Sequence, residues 1–207
     1  MKKTSIEHSH KALLGVVLLF LIWSAINPHD YFTWFLEIFP AVLGFIAIAV
    51  TYNRFRLTNL AYGIIAIHAI ILIIGGHYTY AEVPLFSWLR DIGLFARNNF
   101  DKIGHFYQGF GPAMIVREIL LRKKVVKSKG WLNFIIVSIV LAMSAFYEFI
   151  EWWVSVATGS AGDSFLGTQG YVWDTQSDMF MCLIGAILAL ALLSRWHNRE
   201  LAKVKQW

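Results

Sequence analysis

The chain has 207 residues, of which 57% are hydrophobic and only 15% charged, with a formal net charge of +5. A soluble domain is usually about a quarter charged, and a solvated disordered chain would not carry 16 Phe, 9 Trp and 8 Tyr, so both classes are excluded. The single Cys excludes an intramolecular disulfide framework and a Cys-based zinc site.

The pattern is that of an all-α, polytopic transmembrane helix bundle, a single domain over residues 1–207. A bilayer core about 30 Å thick needs roughly 20 apolar residues at about 1.5 Å each. Six spans are predicted, at about 12–26, 32–50, 57–76, 100–121, 131–157 and 178–196. The first is short and follows a basic start. It lacks a small-x-small cleavage site, so it reads as a retained helix rather than a signal peptide. The second carries Glu37, which could snorkel or join a polar cavity. The third carries His68 in mid-run, where a helix–helix hydrogen bond is the expected role. It ends at His77.

The loop Tyr78–Asn99 is aromatic and amphipathic, with Pro84 at a helix start. It is expected to lie in the interface or fold back as a lid. The fourth span is the least apolar, carrying Asp101, Lys102, His105, Gln108, Arg117 and Glu118. Hydropathy alone would not identify it; the charge bias does. Pro112, helped by Gly109 and Gly111, predicts a kink there. The fifth span ends on Tyr147, Glu148, Glu151, Trp152 and Trp153. The loop Thr158–Trp173 is rich in Gly and Ser and reads as turns. The sixth span opens on Asp174 and Asp178. Within it, Gly185 suits close helix packing, and Cys182, with no basic activator nearby, reads as inert.

With both termini in the cytoplasm, every Lys and Arg except Arg90, Arg97 and Lys102 falls on the inner side. This is the positive-inside rule. It accounts for the basic charge through topology and anionic headgroups, so no nucleic-acid partner is implied. The acids run the other way: all but Glu7, Glu118 and Glu200 fall on the outer half. Acids contribute little to topogenesis, so their clustering needs another cause.

Three polar motifs sit at outer helix ends. Asp101, His105 and Gln108 are spaced i, i+4, i+7 and share a helical face. Glu148 and Glu151 are i, i+3. Asp174 and Asp178 are i, i+4. Charges at membrane depth each cost about 2.5 kcal/mol or more, so they face the bundle interior and find partners. Arg90, Arg97 and Lys102 are too few for the carboxylates nearby. Either some of the acids are protonated, or a divalent cation supplies the missing charge, and oxygen ligands with His suit Mg, Mn, Ca or Zn. The expected metal ligands are Asp101, His105, Glu148, Glu151, Asp174 and Asp178. Glu148, Glu151 and Lys102 are the candidate catalytic groups, and His77, Glu82, Gln108 and Gln169 possible accessories. The competing reading is helix capping by Asp101, Asp174 and Asp178; it fails for Glu148 and Glu151, which lie near a C-terminal helix end. Trp88, Trp152, Trp153 and Trp173 read as interfacial anchors, and His8, His10, His29 and His197 as solvated flanks.

In four segments, HYTYAEVPLF, DKIGHFYQGFGPA, YEFIEWW and GTQGYVWDTQSDM, the chain resembles the YjdF-like family of bacterial inner-membrane proteins, over nearly its whole length. The resemblance implies location and topology rather than an activity. A weaker one is to VanZ-like membrane proteins. It rests on Asp101, Lys102, His105 and Phe106, on Glu148 or Glu151, and on Asp178 and Gly185, with Cys182 where that pattern has Asn.

The sequence thus predicts a multi-pass inner-membrane protein with an outward-facing acidic and histidine cluster. The first functional reading is a metal-dependent hydrolase or binder acting on a lipid or cell-envelope precursor. The second is a non-enzymatic module that binds a lipid or protein partner. The third is a small transporter, which would need polar groups through the full membrane depth, whereas the inner halves of the spans read as dry. The oligomeric state is not legible.

Overall fold

The computed structural model describes residues 3–204, which are mostly helical with no strand among them. Lys2 and Lys205 lie outside the described residues, as do the side chains of Lys3, Glu7, Lys129 and Asp163. The helices are α1 (Lys3–Ser24), α2 (Tyr31–Thr51), α3 (Asn59–His77), α4 (Pro84–Asp91), α5 (Phe100–Arg122), α6 (Lys129–Thr158), α7 (Asp163–Leu166) and α8 (Asp174–Leu201). A short 3₁₀ turn, Gly159–Gly162, joins α6 to α7.

Local chemistry sets several ends. The Asp30 carboxylate accepts the Thr33 amide at 2.6 Å and opens α2. Thr58 caps α3 through the Ala61 amide. Pro84 takes the first position of α4, where its missing N–H costs nothing. Gly159, at φ +60°, stops α6. Four of the predicted spans fall within these helices; the first runs two residues past the end of α1, and the third starts two residues before α3. Hydropathy marks the apolar stretch, whereas backbone hydrogen bonding continues into the polar flanks. Helix α5 stays continuous past Pro112.

Helices α2, α3, α6 and α8 are each long and apolar enough to cross a membrane, and α1 has a shorter apolar stretch. Helix α5 is not, and it survives at depth by its surroundings, since it packs on α3, α6 and α8. The α5–α8 crossing is the tightest. A Cβ on Gly109 would overlap the Cys182 carbonyl, and one on Gly185 the Phe106 carbonyl. The main core lies along this seam, around Ala113, Met114, Ile136, Val140, Cys182 and Ala186. Leu19, Val50, Phe134, Val156 and Leu192 point outward and stay exposed, as lipid-facing side chains do.

Alternating helix direction gives the bundle two polar ends. The acidic end gathers the starts of α2, α5 and α8 with the ends of α3 and α6. The basic end gathers the opposite termini. Asn98, fully buried, pins the loop between α3 and α5. Its amide donates to the Val83 carbonyl and the Ser87 hydroxyl, both at 3.0 Å, and its carbonyl oxygen accepts the Phe100 amide at 3.1 Å. Phe86 of α4 packs on Tyr80, Val83 and Phe100, while Leu85 and Trp88 face outward. The α4 helix is therefore seated on the acidic end by Phe86, with Leu85 and Trp88 left exposed.

Candidate functional site

The α5–α8 pair builds the base of the site. The Arg97 guanidinium donates to Asp101 at 2.8 Å, to Asp174 at 2.6 Å and to the Thr168 carbonyl at 2.9 Å. The Lys102 ammonium reaches Asp174 at 2.8 Å and Asp178 at 2.7 Å, with Asp101 at 3.5 Å. Tyr171 lies beside both cations. These three aspartates are thus tied into ion pairs, while Asp101 also accepts the Lys102 backbone amide at 2.7 Å in the first turn of α5, so for it pairing and capping coexist. The residues before α5 and α8 make no side-chain cap.

Helix α6 brings Glu148 and Glu151, both buried, to the open side of this base. His105 Nδ1–H donates to Gln108 Oε1 at 3.0 Å. Its Nε2 lies 3.7 Å from Asp178 Oδ1, and its Nδ1 lies 3.8 Å from Glu148 Oε1. That Glu148 oxygen is buried without a hydrogen-bond partner. Glu37 of α2 joins from the far wall and accepts from the Tyr147 hydroxyl at 3.4 Å.

Two triads therefore have donor atoms within 4.8 Å of one another: His105 with Glu148 and Asp178, and Asp101 with Asp174 and Asp178. They differ in what fills them. In the second, the Lys102 ammonium already stands where a cation would bind. In the first, His105 lies between Glu148 and the shared Asp178; Asp178 Oδ1 is already paired to Lys102 at 2.7 Å, whereas Glu148 Oε1 has no hydrogen-bond partner. The shortage of positive charge read from the sequence is therefore local. It falls on Glu148, Glu151 and Glu37, not on the aspartates.

A cleft of about 1120 Å³ runs beside both triads, lined by residues of α1, α2, α3, α5, α6, α7 and α8; Glu148 is not among them. Glu37, Asp101, His105, Gln108, Glu151, Asp174 and Asp178 line its acidic end. Two expected accessories are used elsewhere, and a third stands off the cleft. His77 Nδ1 lies 2.9 Å from the Ser24 carbonyl and its ring packs on Trp23, tying α3 to α1. Glu82 is exposed and off the cleft wall. Gln169 pairs with both backbone groups of Asn98 and staples two loops. Trp88, Trp152, Trp153 and Trp173 are exposed and off the wall too, as anchors would be.

Two histidines expected to be solvated are not. His10 lies 2.8 Å from both the Tyr52 hydroxyl and Asn59 Oδ1. His197 is fully buried at the basic end, between Glu118 and Arg117. Glu118 accepts from Thr58, Arg122 and His197, so the basic end of the bundle, expected to be dry, holds a buried polar network. His68, expected to bond across helices, has its Nε2 buried without a partner. Tyr80 was not singled out in the sequence at all. It packs on Gly75 and Gly104, and a Cβ on either would meet its ring. Burial pushes its phenol well above the usual tyrosine value. The glycines facing it were the one available signal.

The family described as predicted membrane protein (DUF2238) matches residues 9–199. The inner membrane protein YjdF of Escherichia coli (strain K12) is 46% identical over 186 residues, which cover 89% of this chain and 88% of that protein. No solved structure matches.

Proposed function

The chain belongs to the DUF2238 family of predicted membrane proteins and is a multi-pass protein of the bacterial inner membrane; from that premise we propose that its acidic end faces outward and holds a divalent cation that acts on the polar head of a lipid or cell-envelope precursor. The observation that carries this reading is the orphaned Glu148 Oε1, buried opposite His105 and Asp178. A buried carboxylate oxygen with no donor costs free energy that a cation would return.

The ligands are His105 Nε2, Glu148 and Asp178. Gln108, by accepting from Nδ1–H, fixes the His105 tautomer that leaves Nε2 free to bind. Two oxygens and one nitrogen suit Mg, Mn or Zn better than Ca, which takes six to eight oxygens. Arg97 and Lys102 keep the aspartates charged and aimed, so Lys102 is a positioning residue in this reading. Glu151 lines the cleft and would serve as the general base in this reading; a bound cation would supply Lewis-acid activation of the headgroup and of water. The reaction class is hydrolysis of an ester or phosphate ester at the headgroup.

The test is metal analysis of the detergent-purified protein beside His105→Ala and Glu148→Gln. A near-stoichiometric divalent ion in the native chain, lost in both variants, is the expected result. No ion in the native protein after cation supplementation, with thermal stability indifferent to cations, would overturn it. A carrier is the second reading, and one observation favours it: the cleft continues from the acidic end to His10 and Arg56 at the basic end.

A further inference from the structure

The cleft has a shape that a headgroup site alone does not need. Its α2 wall runs from Glu37 to Tyr52, roughly 22 Å at about 1.5 Å per residue. That is most of a bilayer core about 30 Å thick. Its polar groups are confined to the ends. Between them the wall is apolar, formed by Leu18, Pro40, Phe45, Leu72, Ile115 and Ile150. Helix α2 rests on α3 and, at the acidic end, on α7, and it is the least buried of the four long apolar helices. Phe45 on α2 and Met143 and Phe146 on α6 line the cleft yet remain about half exposed. They form a rim through which the cleft meets the membrane sideways.

One polar point interrupts the apolar stretch. His68 lies on the wall beside Gly111, and its Nε2 has no partner. A polar nitrogen buried in hydrocarbon surroundings calls for an acceptor or donor from whatever fills the space.

We propose that the cleft binds the hydrocarbon chain of a membrane amphiphile, entered between α2 and α6, with its headgroup at the His105 end and the polar linkage above the chain paired to His68. The occupant is a long-chain lipid. A soluble headgroup would leave the apolar stretch unfilled, and a peptide would leave its backbone groups unpaired there. The amphipathic match, polar at one end and apolar along the length, is the recognition chemistry. This inference deepens the proposed function and rests on it for the position of the headgroup; the chain-binding tract itself does not require the cation.

The experiment is thermal unfolding of the full chain in mild detergent, titrated with palmitoyl and with octanoyl lysophosphatidylglycerol, with metal content read on the same samples. Gly44 lies on the cleft wall, and a Cβ there meets nothing, so Gly44→Trp adds a ring at the cleft wall without a backbone clash. The palmitoyl probe is expected to raise Tm and the octanoyl probe to bind at least roughly tenfold more weakly. In Gly44→Trp the palmitoyl shift is lost while metal content stays native. In His68→Leu the palmitoyl shift weakens but survives. Equal shifts with both probes in the native chain, or an undiminished palmitoyl shift in Gly44→Trp, would overturn the tract. The native-chain comparison stands even if a variant fails to fold. A chain-length effect in protein that holds no metal would keep the tract and sink the cation reading.

Discussion

Glu118 and Lys102 show two ways of keeping a charge at membrane depth. Glu118 is fully buried and saturated with donors: the Thr58 amide and hydroxyl, Arg122 and His197. Arg117 has no acceptor to offer, so its bond to His197 Nδ1 leaves Nε2–H to donate to Glu118. Glu118→Gln replaces this acceptor with an amide that cannot match every donor. It should cost about 3 kcal/mol in thermal unfolding, as breaking a buried pair does. The surface pair Glu200–Lys203 gives the contrast: Glu200→Gln should change stability by less than about 0.5 kcal/mol. Lys102 plays the opposite part, a side-chain cation among three aspartates. Lys102→Ala empties that place and leaves Asp101, Asp174 and Asp178 with Arg97 alone. Cation titration of this variant should show a second divalent site beside the first. A stoichiometry unchanged from the native chain would refute the equivalence of ammonium and metal at that triad.

At the scale of the element, α5 is the instructive helix. Its polar residues hide it from hydropathy, yet it lies among α3, α6 and α8. The glycines at its crossing with α8 let backbone meet backbone. Gly109→Leu should force the two helices apart and lower stability by at least about 1–3 kcal/mol, read as loss of detergent-solubilised folded protein. Gly15→Leu, on the open face of α1, is the control and should be silent. Helix periodicity placed Asp101, His105 and Gln108 on one face, and the geometry of a helix sufficed for that. The pairing of Glu37 with Tyr147 was not legible, because it joins two helices far apart in the chain, and no spacing rule reports such a contact.

At the scale of the whole molecule, charge asymmetry is the strongest signal. If the acidic end faces outward, a reporter fused to the C-terminus should read cytoplasmic, and a single Cys placed in the loop Thr158–Trp173 should label from the outer side. The reverse pattern would invert the bundle and move the cleft's polar end to the cytoplasm. The YjdF-like resemblance read from four segments is upheld by the 46% identity across most of both chains. The sequence by itself determined the class, the approximate limits of the six long helices and the gathering of acids at one end, because apolar run length, helical period and charge bias are local properties that a bilayer selects directly; the short α7 and its 3₁₀ turn fall in a Gly- and Ser-rich segment that reads as a loop. Only the tertiary structure decided which acids are neutralised by Arg97 and Lys102, that Glu148 is left with a bare oxygen, that His77 and Gln169 serve as staples, and that His197 is buried rather than solvated. Those outcomes depend on which side chains from distant helices share a few ångströms of space, and buried charges are settled by partners, not by position in the chain.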